Sequence, residues 1–360
     1  MEKLEFTRVG EQMYHQKLEN GLNVFVFPKP DYQKGYAFFA TNYGGMDMRF
    51  CLDGEWHDTP AGVAHFLEHK MFDTKEGNAL QELAANGASP NAFTSNAITG
   101  YFFESTEKFE DNLKILLSFV SIPYFTPESV DKEQGIIGQE IRMYEDEPEW
   151  ESYINLMEAL YKNHPVRENV AGSVESISHI TADTLYACHK AFYDPANMVL
   201  CVAGNVDPER VCELAREILP KAPGPIALKD YGEEEKPRVF QRQVEKEMAV
   251  STPIFQLGYK GDPAKTGEER LRQRLVAELA LEALLGNSSP LYAKLYREGL
   301  INQNFSYGYD SYPGCSFLCA GGESKDPDKV YEAICREFDR LKTEGVSAAD
   351  FERCKKALYG

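Results

Sequence analysis

The chain has 360 residues, more than one compact core holds, so two domains of roughly 150–200 residues are expected. Its composition, 43% hydrophobic and 26% charged with 21 Phe and 20 Tyr, is that of a globular protein and excludes a disordered one. A net charge of −19, from 38 basic and 57 acidic residues, argues against nucleic acid and against anionic membrane surfaces as partners, and suits steering of basic peptides.

The start, MEKLEFTRVGE, has mixed charge and no apolar core, so it does not read as a signal peptide. No apolar run approaches the ~20 residues of a membrane span. Residues 12–28 read as a hairpin around Asn20-Gly21, and GYAFFATNY (35–43) as a third strand. Gly44-Gly45 and DGEWHDTP are read as a loop. A helix is expected from Ala61 to Phe72 and a second at about 78–86, then strands at about 91–96 and 98–104. Helices follow at about 108–120 and from Pro127 to about Arg142. MVLCVAG (198–204) reads as a buried strand, and Asp207-Pro208 opens another helix. The polar run KDYGEEEKPRV (229–239) is the linker candidate, dividing a first domain, 1–228, from a second, 240–360.

An internal repeat supports two similar α/β domains. YFFESTEKFEDNLKILLSFV from Tyr101 and FLCAGGESKDPDKVYEAICREF from Phe317 each give a strand, Glu-Ser, a polar turn and an amphipathic helix. FTPESVDKEQGIIGQE (125–140) then matches GVSAADFERCKKALYG (345–360) in order of elements. Setting Thr126 on Val346 puts Gly360 opposite Glu140. The second domain is therefore expected to be truncated, lacking roughly 60–80 residues on domain-size grounds.

The chemistry gathers in AGVAHFLEHKMFDTK. On a helix His65 and His69 are i and i+4, so both imidazoles project from one face and suit one tetrahedral zinc ion. Glu68 lies beside that face and is placed to take a proton from an attacking water. Ala61, Val63, Ala64, Phe66, Leu67 and Met71 make the helix apolar nearly all round. Polar groups on so buried a helix need partners, and a metal supplies them. The acid-rich helix 127–142 offers Glu133 and Glu140, two turns apart on one face, one for the metal and one behind a histidine; periodicity does not say which. Glu145, Asp146, Glu147, Glu149 and Glu151 read as a solvated acidic stretch. His15, His57, His179 and His189 lack ligand spacing, and His164, before Pro165, reads as fixing a loop. The eight cysteines are scattered without a CxxC pair and read as reduced thiols of a cytoplasmic protein. No nucleotide-binding glycine motif and no nucleophile elbow are present.

HFLEH resembles the inverted zinc motif (inverzincin) of the pitrilysin-like M16 metallopeptidases, which include insulin-degrading enzyme and the mitochondrial processing peptidase. GASPNAFTSNAITGYFFE (87–104), EQGIIGQE (133–140), NHPVRENVAGSVESISHIT (163–181) and YDPANMVLCVAGNVD (193–207) extend the resemblance, which covers most of 12–220 and more weakly 250–360. The small bacterial members built as half-length subunits are the most similar. The resemblance implies an α/β (α+β) fold of two homologous domains, each a mainly antiparallel sheet packed by helices (LuxS/MPP-like). It implies one zinc ion on His65, His69 and Glu140, with Glu133 supporting and Glu68 as general base. Asn91, Ala92, Phe93 and Thr94 would lie on an edge strand that pairs with a peptide substrate. The family's second half usually carries an Arg and a Tyr that hold the substrate, but KLYREGLIN (294–302) puts Leu295 and Asn302 at those places, with Arg297 out of register. A heterodimer is therefore expected, with this chain as the zinc-bearing subunit and an M16-like partner supplying Arg and Tyr. The competing expectation is a non-catalytic scaffold subunit of the same fold.

Overall fold

The computed structural model describes residues 1–359. In chain order the first elements are β1 (Glu2–Phe6), β2 (Glu11–Lys17), β3 (Asn23–Pro28), β4 (Gly35–Thr41), β5 (Arg49–Leu52) and β6 (Glu55–Asp58). Helix α1 (Val63–Met71), the short pair β7 (Asp73–Thr74) and β8 (Gly77–Asn78), and α2 (Ala79–Ala85) follow. Next come β9 (Ala88–Thr94), β10 (Thr99–Ser105), α3 (Phe109–Ser121), α4 (Pro127–Glu145) and α5 (Pro148–Leu160). Then α6 (Val174–Ile177), α7 (Ala182–Phe192), β11 (Met198–Gly204), α8 (Pro208–Ile218) and β12 (Leu228–Asp230) complete the first part. The remainder is β13 (Ile254–Gly261), α9 (Gly267–Leu285), α10 (Pro290–Arg297), β14 (Ser306–Tyr312), β15 (Cys315–Glu323), α11 (Pro327–Glu344) and α12 (Ala348–Tyr359).

These elements form two compact units. The first comprises residues 1–141 and 168–231; the second comprises 142–167 and the described residues from Gly232 on. Residues 142–167, including α5, thus pack with the C-terminal part of the chain although they precede β11 in sequence.

The first unit is built on a seven-stranded sheet of order β1-β2-β3-β11-β4-β10-β9. Every pair is antiparallel except β11 with β3. Alternation along the strands sends one set of side chains inward: Val24 and Val26, Ala37 and Phe39, Tyr101 and Phe103, Leu200 and Val202 are all fully buried. Helices α1, α3, α7 and α8 contribute to that same core through Phe66, Leu116, Leu185 and Leu214. Burying each such side chain contributes about 1.5–3 kcal/mol, which is what holds the helices on the sheet.

Two segments differ from the sequence reading. The stretch taken as a loop at DGEWHDTP is a hairpin, β5–β6, joined to β12 in a three-stranded sheet. Asp53 and Gly54 both have positive φ, 54° and 87°, as a tight primed hairpin turn requires, and the Asp-Gly pair was the signal for it. The polar run from Lys229 begins as a strand, because its charges find buried partners. Lys229 Nζ and Tyr231 Oη donate to Asp47 at 2.8 and 2.9 Å, and Gly44 N–H donates to the same carboxylate at 2.9 Å.

The second unit carries the antiparallel sheet β13-β15-β14. On one face Phe255, Leu257, Leu318 and Ala320 join α9, α10 and α11 in a core. On the other, Cys315 and Phe317 pack with Leu156, Met157 and Leu160 of α5. The order strand, helix, helix in β15–α11–α12 repeats that of β10–α3–α4, as the sequence repeat predicts. Gly360, set opposite Glu140 by that repeat, lies outside the described residues.

Asp47 is fully buried with three donors on it. Asp47→Ala leaves the Lys229 ammonium with Asn42 Oδ1 but without its carboxylate partner and is expected to destabilise the chain by roughly 3 kcal/mol. Urea denaturation of the variant beside wild type measures this; a loss below a third of that value contradicts it.

Candidate metal centre

Helix α1 begins at a break that its neighbours impose. Gly62 caps it with φ 94°, and a Cβ there would lie 2.6 Å from the Ala171 carbonyl oxygen, so only glycine fits. The helix then buries Val63, Ala64, Phe66, Leu67 and Met71, and with them the polar Glu68 and Lys70. Its polar edge faces α4, whose Glu133 and Glu140 come off one face two turns apart.

Between the two helices the side chains converge. The imidazole rings of His65 and His69 are 4.6 Å apart, their planes inclined at 65°. His65 Nε2 lies 3.8 Å from Glu140 Oε1, and His69 Nε2 lies 3.5 Å from Glu140 Oε2. One donor atom from each of His65, His69 and Glu140 lies within 4.8 Å of the other two. Donors about 2.05 Å from a tetrahedral zinc ion sit roughly 3.3 Å from one another, so this triad fits such an ion with little movement. Two imidazoles and a carboxylate are also the donor set of an open, catalytic zinc site.

His69 and His65 differ behind the donors. His69 Nδ1 donates to Glu133 Oε1 at 3.1 Å, which fixes the tautomer and leaves Nε2 as the free donor atom. Among the described residues His65 Nδ1 is buried with no hydrogen-bond partner, so its tautomer is set by whatever sits at Nε2. Burial, then the neighbouring His69, pushes the His65 pKa down to about 4, which keeps its lone pair available at neutral pH. For His69, burial pulls the pKa down, but the Glu133 hydrogen bond and the charges of Glu68 and Glu140 outweigh it and raise it above the usual 6.5.

Glu68 is also buried, and burial raises its pKa above the ordinary carboxylate value; Thr94 and His69 oppose the shift and Glu140 adds to it. Thr94 Oγ1 donates to Glu68 Oε2 at 2.8 Å. Thr94 ends β9, which among the described residues is an edge strand paired with β10. Alternation places Ala92 and Thr94 on the core side and Asn91 and Phe93 outward. Phe93 is 42% exposed and stacks at 6.0 Å on Phe38, while Asn91 Oδ1 accepts from Ala92 N–H. The structure thus joins His65, Glu68, His69, Glu133, Glu140 and Thr94 in one cluster and leaves Asn91, Ala92 and Phe93 further along the edge strand.

Two features lay outside the sequence reading. Thr94 contacts Glu68, a pairing across 26 residues that no local pattern reveals. Lys70 is 1% exposed, and a lysine inside an otherwise apolar helix was the available signal. In the second unit, Leu295 is wholly buried in the core and Asn302 Nδ2 donates to Glu323 at 2.5 Å. His164, in a loop as expected, has Nε2 at 3.0 Å from the Pro313 carbonyl and accepts at Nδ1 from Val166 N–H.

Known proteins share this architecture. Residues 53–174 match the family described as "Insulinase (Peptidase family M16)", and residues 179–358 match "Peptidase M16 inactive domain". The chain is 43% identical to the uncharacterized zinc protease YmfH of Bacillus subtilis (strain 168), over 99% of its own length and 84% of that protein. It is 25% identical to a second protein of that organism, the uncharacterized zinc protease YmxG, over 85% and 75% of the two chains. The structure described as "Crystal structure of putative M16-like peptidase from Alicyclobacillus acidocaldarius" superposes with a TM-score of 0.92 at 35% identity, covering 97% of this chain and 83% of the other. Pitrilysin shares the fold, with a TM-score of 0.72 at 18% identity over 95% of this chain and 37% of its own. The fold is that of the M16-type metallopeptidases, with a mixed α/β architecture of mainly antiparallel sheets. The chain belongs to the peptidase family M16.

Metal binding at this triad requires His69 to be neutral. Zinc affinity is therefore expected to fall, one proton per ion, as pH drops through the raised His69 pKa, while His65, titrating near 4, does not compete in that range. Competition with a chromophoric chelator between pH 8 and 5.5 gives the slope; an affinity independent of pH contradicts it.

Proposed function

We propose that the chain is a zinc-dependent endopeptidase that cleaves peptides or unfolded segments, with His65, His69 and Glu140 holding one zinc ion and Glu68 acting as general base. The observation that carries this is the convergence of three metal donors beside a buried carboxylate held by Thr94. When bound there, zinc polarises the scissile carbonyl and makes water nucleophilic near neutral pH. Glu68 takes the proton of the attacking water and passes it to the leaving amine nitrogen. Its raised pKa suits the first transfer, since it holds a proton more firmly than a free carboxylate. Thr94 keeps one Glu68 oxygen engaged and leaves the other for the water. Glu133 keeps His69 in its tautomer. The outer edge of β9, from Asn91 to Thr94, offers backbone groups to an extended peptide, and Phe93 offers an apolar contact.

The names of relatives as zinc proteases support the reaction class. Among the described residues no helix is long and apolar enough to cross a membrane. Eight unpaired thiols suit a reducing, cytoplasmic location. A partner subunit of the same family is part of this reading, because Leu295 and Asn302 stand where the second half's Arg and Tyr are expected. The domain boundary proposed from the sequence, at 229–239, belongs to this reading as well.

Glu68→Gln is expected to retain zinc and lose about 10²–10⁴-fold in peptide cleavage. Full activity in a zinc-loaded Glu68→Gln chain removes the general-base role. For the partner, peptide cleavage by the chain is expected to rise on adding a half-length relative that carries the Arg and Tyr. Equal rates with and without such a partner end the heterodimer reading.

A further inference from the structure

We propose that Lys70 is a positioning residue of the metal centre: a buried cation that holds the Glu133 carboxylate in place behind His69. The inference rests on the zinc site proposed above and concerns a residue to which no role has been attached. Lys70 is 1% exposed on a helix that is otherwise apolar apart from its metal-site residues. A buried ammonium is costly to desolvate and has three N–H donors to satisfy, so its partners matter. They are the Asp73 carboxylate, the Ser129 carbonyl oxygen at 3.3 Å and Glu133 Oε2 at 3.9 Å. Ser129 and Glu133 lie one turn apart on α4, the helix that also carries Glu140. Lys70 therefore ties α1 to the helix that supplies the third metal donor.

The two oxygens of Glu133 are divided between consecutive residues of α1. Oε1 accepts from His69 Nδ1 at 3.1 Å, and Oε2 faces Lys70 Nζ at 3.9 Å. With Oε2 held, Oε1 is fixed toward the imidazole, and His69 Nε2 is fixed toward Glu140. Without Lys70 the carboxylate is free to turn, and Glu133 loses its grip on the His69 tautomer. A simple charge effect has the opposite sign. If Lys70 acted only through its field, it would repel a metal cation, and removing it would tighten binding.

The test is zinc affinity, measured by chelator competition at one pH on wild type, Lys70→Met, Glu133→Gln and the double variant, with far-UV circular dichroism and a thermal melt for each. Each single substitution is expected to weaken zinc binding by roughly 10–100-fold, the usual effect of losing a group behind a metal ligand. The double variant is expected to be no weaker than the weaker single, because both act through one carboxylate. Zinc binding by folded Lys70→Met as tight as wild type, or tighter, overturns the proposal, and so do losses that multiply. Should Lys70→Met fail to fold, Lys70→Gln, which keeps a donor for Ser129, carries the same expectation and the same refutation. A wild-type chain that takes up no zinc refutes the metal centre itself, and this role with it.

Discussion

The 3.1 Å hydrogen bond from His69 Nδ1 to Glu133 joins two helices of very different composition. Helix α1 is short, apolar and fixed against β9 and β10; α4 is long, acidic and solvated along much of its length. Neither can form the cluster alone. Val130, Ile137 and Ile141 seat α4 in the core, and in that orientation Glu133 meets His69 while Glu140, two turns on, reaches both imidazoles. The same bond decides which ring nitrogen of His69 is left to act as a donor.

Burial makes this arrangement demanding. Glu68 and Lys70 are buried, and His65 mostly so, on a helix whose remaining residues, His69 apart, are core hydrophobes. Each polar group there must be neutral, paired or bound to something. His65 is kept neutral, Lys70 is paired, and Glu68 shares a hydrogen with Thr94 while gaining proton affinity. The helix is thus specified twice over, once by its apolar contacts with the sheet and once by the polar partners that its few charged residues require.

Much of this was legible in the sequence because it is local. The i, i+4 histidines, the adjacent Glu68 and the seven-residue spacing of Glu133 and Glu140 follow from helical geometry. Which of the two acids faces both histidines does not, because it depends on how α4 is rotated against α1; family resemblance supplied that choice. The Thr94–Glu68 contact and the pairing of Lys229 with Asp47 join residues far apart in the chain, and no periodicity reports them. The hairpin at Asp53-Gly54 was missed for another reason. Its strands are four residues each, too short for alternation to outweigh a polar composition. Residues 142–167 read as part of the first half by chain order, yet their apolar face belongs to the core around Phe317.

Strand β11 lies between β3 and β4, pairing Met198 with Thr41 and Val199 with Asn23. The sheet that supports α1 therefore has a gap at its centre until a strand some way down the chain arrives to fill it. On a ribosome, the segment bearing His65 and Glu140 emerges long before the sheet beneath it can close. Contacts of such long sequence separation slow folding, and half-made sheets expose strand edges. The residues of the His65–Glu140 cluster are then presented on an unfinished scaffold until β11 is made.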